Sequence, residues 1–101
     1  MVKREALEIA KKFLSSVSEH FSVKSAYLFG SFAKENSHLD SDIDIAVVID
    51  QKQFTFNNEM DLVRLRRDID LRIEPHAFLN KDFNESNPLA HEILKHGIRI
   101  S

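Results

Sequence analysis

Residues 26–50 read AYLFGSFAKENSHLDSDIDIAVVID, and two short groups within them decide the fold. An apolar run ends at Gly30-Ser31; after ten intervening residues a second apolar run opens on Asp42-Ile43-Asp44. Side chains alternate along a strand, so Asp42 and Asp44 are expected on one face, with Ile43 and Ile45 on the other. Two neighbouring carboxylates repel unless positive charge sits between them. A hard divalent cation such as magnesium is the usual partner of such a pair, and it brings phosphate chemistry with it.

Around this segment the chain alternates helix and strand. Residues 3–19 carry an amphipathic stripe of Ala6, Leu7, Ala10, Phe13, Leu14 and Val17, with Lys3, Arg4, Lys11 and Lys12 outside it. Residues 23–29 read as a strand, a short helix is expected from Ser31, and residues 42–49 are apolar enough for the middle of a sheet. Asn57 or Asn58 is the expected cap of a helix running to about Arg67, with Leu62, Val63 and Leu65 inward. In residues 69–74, Ile69, Leu71 and Ile73 alternate with Asp70, Arg72 and Glu74, which predicts a third strand. Asn87 and Pro88 open a last helix, and Gly97 closes it before a terminal strand at Ile98–Ile100. The expectation is a single α/β (α+β) domain over residues 1–101, a small mixed β-sheet flanked by helices.

Composition narrows the functional classes. A chain of 101 residues has room for one core, and 43% hydrophobic with 30% charged residues is ordinary for a globular protein. A net charge of −2 speaks against holding nucleic acid by its phosphates as the main task. The absence of cysteine excludes disulfides and cysteine-held zinc. The N-terminal charges are too closely interleaved for a signal peptide, and no apolar run approaches the roughly 20 residues of a membrane helix. A cytoplasmic protein with no membrane partner is expected.

Four further residues, Asp70, Gly30, Ser31 and Lys34, belong with the aspartate pair. If the third strand neighbours residues 42–49, Asp70 adds a third carboxylate to Asp42 and Asp44, with Asp68 a weaker candidate. Such a set suits a site in which two cations clamp the attacking and leaving oxygens of an in-line displacement. The Gly30-Ser31 turn aims free backbone N–H groups at a phosphate, the Ser31 hydroxyl adds a donor, and Lys34 could reach a triphosphate as a point charge. Arg72 could add to that charge. His91 and His96 are five apart, which does not put two ligands on one helical face. His38 reads as a loop histidine and His76 as ambiguous. Arg64, Arg66 and Arg67 read as a solvated helix end. For Phe54, Phe56, Phe78 and Phe83, core packing and an exposed partner surface are equally open readings.

Gly-Ser, ten residues and Asp-x-Asp resemble the signature of the nucleotidyltransferase superfamily with the DNA polymerase beta-like fold. Within it, the short chain, the SDIDI wording and the closing PLAHEILKHGIRI resemble the minimal nucleotidyltransferase (MNT) family, commonly paired with HEPN-domain proteins as toxin–antitoxin systems. The resemblance runs from about Ala26 to the C-terminus. It implies a triphosphate at Gly30 and Ser31, and two magnesium ions and catalysis at Asp42, Asp44 and Asp70. The family often has an arginine near the position of Lys34; lysine keeps the charge there but lacks the bidentate fork.

The function this implies is transfer of AMP from Mg-ATP onto a hydroxyl of a partner protein, the chain acting as the AMPylating antitoxin of a HEPN-type helical toxin. Two alternatives are an antitoxin that masks its partner by binding alone, and a subunit of a small-molecule nucleotidyltransferase. Nucleotide preference and oligomeric state, an oligomer included, are left open.

Overall fold

The computed structural model describes residues 3–33 and 41–101. Its elements run α1 (Lys3–Ser18), β1 (Val23–Phe29), β2 (Ile43–Ile49), α2 (Phe56–Arg64), β3 (Ile73–Leu79), a 3-10 turn (Asn80–Asp82), α3 (Pro88–His96) and β4 (Ile98–Arg99). The sheet order is β3-β2-β1-β4, with β1 antiparallel to both its neighbours and β3 parallel to β2. Five consecutive buried residues, Ile45 to Ile49, suit β2 to its central place. The antiparallel neighbours and one parallel crossover through α2 make the sheet mixed, as expected.

Alternation along the strands builds two unequal faces. Ile43, Ile45, Val47 and Ile49 of β2 join Leu28 of β1 and Ile73 of β3 on one face. Onto it pack Ala6, Ala10, Phe13 and Val17 of α1 and Leu62 of α2, each with no exposed surface. This is the main core, and the predicted stripe of α1 supplies its cover. The other face carries Tyr27, Phe29, Ala46 and Val48 under Ile93 of α3, with Phe78 and Phe83 packed alongside. At the end where β2 begins, the polar residues Asp44 and Glu74 stand paired in register.

Several local expectations are corrected. The third strand begins at Ile73, not Ile69. The backbone N–H groups of Ile69 and Asp70 bond to the Arg66 carbonyl, so this stretch closes off the helical segment. Asp70 Oδ1 then accepts from the Arg72 N–H at 2.9 Å, a side-chain turn that competes with the sheet ladder. Leu71, expected to face inward, is 69% exposed as a result. The strand instead continues through Pro75, which an edge strand tolerates because one side of its ladder is unpaired.

The cap of α2 is Thr55, which accepts from Asn58 N–H, while the Asn58 side chain accepts from Thr55 N–H in return. Residues 30–33 form a turn; the rest of the expected short helix lies outside the described residues. Asn87, Pro88 and Gly97 bound α3 as expected. Arg66 departs from a solvated helix end, since it donates to the Ile73 carbonyl at 2.9 Å. Of the four phenylalanines, Phe54 stacks near Phe21, Phe78 and Phe83 pack together, and Phe56 is 77% exposed.

Candidate active site

Gly30 sits where β1 must turn away from the sheet, with φ +75, in the left-handed region that L side chains rarely adopt. A Cβ there would also run directly into Asp44 Oδ2. Glycine is thus required twice, once by the backbone and once by the carboxylate lying against it. Phe29, one residue earlier, is the register partner of Asp44 across the β1–β2 pair. The antiparallel pairing of β1 with β2 is therefore what carries the two halves of the sequence motif to one point.

Asp44 is half-buried on β2, and Glu74 is its register partner on the parallel strand β3. Partners in a ladder show their side chains on the same face, so these two carboxylates are neighbours. His76, two residues further along the same face of β3, places Nε2 3.2 Å from Asp44 Oδ1. Its ring meets Phe29 edge-on, with centroids 4.9 Å apart. Asp42 is exposed one residue before β2, and Ser31 is half-buried in the turn after Gly30. A cleft of about 220 Å³ borders the turn, lined by Phe29, Gly30, Leu89, Glu92 and His96.

Asp70 does not join this group as a strand residue. It stands in the turn before β3, and its carboxylate takes both Arg72 Nε at 3.0 Å and Arg72 Nη2 at 2.6 Å. These bonds hold the Asp70 carboxyl below the usual carboxylate range, against the upward push of burial, and raise the Arg72 guanidinium in turn. Arg72 is engaged with Asp70 rather than held open for a phosphate. Lys34 and His38 lie outside the described residues. Two residues to which the sequence reading gave no role lie beside Asp44: Glu74, its register partner, and His76.

The donor set fits a hard divalent cation. Asp44 and Glu74 offer oxygen alone, and the Gly30 turn is cleared of side chain beside them. Among the described residues, no three His, Cys, Asp or Glu side chains are grouped so as to hold a metal ion by themselves. Magnesium is more often held by one or two carboxylates with substrate phosphates and water.

A sheet of this order with its carboxylates beside a glycine turn is the architecture expected of a nucleotidyl-transferring domain. The family model described as polymerase beta, nucleotidyltransferase matches residues 11–101. A "putative protein adenylyltransferase" of Methanocaldococcus jannaschii is 32% identical over 72 residues, 69% of this chain and 72% of that protein. A toxin–antitoxin crystal structure with AMP-PNP superposes with a TM-score of 0.71 at 20% identity, over 91% of this chain and 72% of its own. A mutant MntA–HpeT toxin–antitoxin structure gives 0.69 at 18% identity, with the same coverage. These two likenesses carry the fold. The chain belongs to the polymerase beta-like nucleotidyltransferase family.

Proposed function

We propose that this nucleotidyltransferase moves AMP from Mg-ATP onto a hydroxyl of a partner protein, and that the partner is a HEPN-type helical toxin which the modification neutralises. The observation that carries the reading is the contact of the Asp44 carboxylate with the Gly30 turn, with Glu74 at its side. A phosphate-binding turn and a cation-binding pair in direct contact suit one substrate that is both, a metal–nucleoside triphosphate. The adenylyltransferase relative and the toxin–antitoxin neighbours support the nucleotide and the kind of partner.

In this reading the backbone N–H groups after Gly30 and the Ser31 hydroxyl steady the outer phosphates, with Lys34 adding charge. Asp42 and Asp44 hold the cations, and Glu74 takes the third carboxylate position that Asp70 was expected to fill. When bound, magnesium supplies charge neutralisation on the triphosphate and on the departing pyrophosphate. The acceptor oxygen forms a bond to the α-phosphorus as the α–β bridge breaks, and the hydroxyl proton passes to a neighbouring carboxylate or water. Catalysis is then mostly positioning and electrostatics. No helix among the described residues is long and apolar enough to cross a membrane.

The test is incubation of the purified chain with α-labelled ATP, magnesium and a lysate of its own host. A labelled protein band that Asp44→Asn abolishes is the expected result, and mass spectrometry of that band identifies the acceptor. Neutralisation of the partner by Asp44→Asn as strong as by the wild type, without label, would favour masking by contact instead.

A further inference from the structure

The two carboxylate oxygens of Asp44 have different neighbours. Oδ2 lies against Gly30, while Oδ1 lies 3.2 Å from His76 Nε2. An ionised carboxylate only accepts, so His76 presents its Nε2–H to Oδ1. The imidazole is fixed in turn: its ring stands edge-on to Phe29 at 66°, and its own register partner, Ala46, is fully buried. Each of three strands thus contributes one member of a small stack, Phe29 from β1, Asp44 from β2 and His76 from β3.

We propose that His76 is a positioning residue for Asp44: by holding Oδ1 it keeps Oδ2 turned toward the Gly30 turn, where cation and phosphate meet. The inference rests on the reading of Asp44 as a cation ligand. A free aspartate side chain on an open sheet end would sample several rotamers, and each wrong one would have to be abandoned before a cation could bind. Hydrogen bonds to a ligating carboxylate remove that freedom, and losing such a partner typically weakens metal affinity by about 10–100-fold. The Phe29 contact alone would make His76 a packing residue, for which phenylalanine is an adequate substitute.

The experiment titrates the purified chain with Mn²⁺ as probe, counting free ion by electron paramagnetic resonance. His76→Phe keeps a ring against Phe29 and removes the donor; His76→Gln restores an N–H at about the same reach. The expected result is a loss in Mn²⁺ affinity of about 10–100-fold in His76→Phe, most of it recovered in His76→Gln, with melting temperatures close to wild type. Wild-type affinity in His76→Phe, or no recovery in His76→Gln, would overturn the proposal. Asp44→Asn separates the two levels. If it loses Mn²⁺ while His76→Phe does not, the site stands and the role of His76 falls. If it binds Mn²⁺ like wild type, the cation-ligand reading falls and takes this inference with it.

Discussion

Gly30→Ala perturbs backbone and site together, and the two costs can be separated. Holding an L residue in the left-handed conformation costs about 1–2 kcal/mol. At about 4–8 °C per kcal/mol for a domain this small, the backbone alone lowers Tm by roughly 5–15 °C. The new Cβ also lands on Asp44 Oδ2, with Asp44 Cβ behind it at 3.4 Å. Relieving such an overlap typically costs a further 1–3 kcal/mol or so. In an Asp44→Ala background the carboxylate is gone and only an ordinary contact remains, so Gly30→Ala should there cost the backbone share alone. Urea or thermal melts of the four proteins give the coupling directly. The carboxylate must retreat by on the order of 1 Å, a misplacement that can cost about a hundredfold in transfer rate. An equal Tm loss in both backgrounds would refute the claim that Asp44 fills the space of a side chain at position 30.

Glu74→Gln should lower nucleotidyl transfer about a hundredfold or more, whereas Asp70→Asn should leave it within a few-fold; the opposite ranking in a labelling assay would restore Asp70 to the site. The Asp70 carboxyl is held below its unfolded value, so its contribution to stability is present above pH ~4 and is lost as pH falls through the depressed value. Asp70→Asn should therefore narrow the gap in Tm between neutral and strongly acid solution, measured by calorimetry across that range. Thr55→Ala removes one half of the reciprocal cap of α2 and should cost about 1 kcal/mol, seen as a drop of roughly 4–8 °C in Tm with transfer unchanged.

What could be read from sequence divides along a physical line. β1 at Val23–Phe29, the centre of β2 and the caps of α3 depend on local signals: an apolar run ended by glycine, a longer apolar run, an Asn-Pro start. The sequence paired the Gly-Ser turn with Asp42 and Asp44 only as a motif at fixed spacing; the antiparallel return of β2 onto β1 is what brings Gly30 and Asp44 together. β3 was misplaced because IDLRIE alternates as well as a strand does, yet Asp70 bonds its own backbone two residues on and turns the chain. The expected strand stopped at Glu74, and it is the edge position of β3 that lets it run on through Pro75. Thr55 is also a residue type that caps helices, but the neighbouring Asn57 and Asn58 competed for the role, and only the reciprocal bond with Asn58 singles it out. Glu74 and His76 acquire meaning only through the parallel register of β3 on β2, a long-range pairing that no local pattern in the sequence reports.

The most direct test of the central claim follows the fate of the phosphates of ATP with the acceptor from the lysate experiment in hand. Parallel reactions with α- and γ-labelled ATP should put only the α label on the acceptor and release one pyrophosphate per AMP attached. γ label on the acceptor, or loss of ATP without pyrophosphate, would contradict nucleotidyl transfer at the Gly30–Asp44 site.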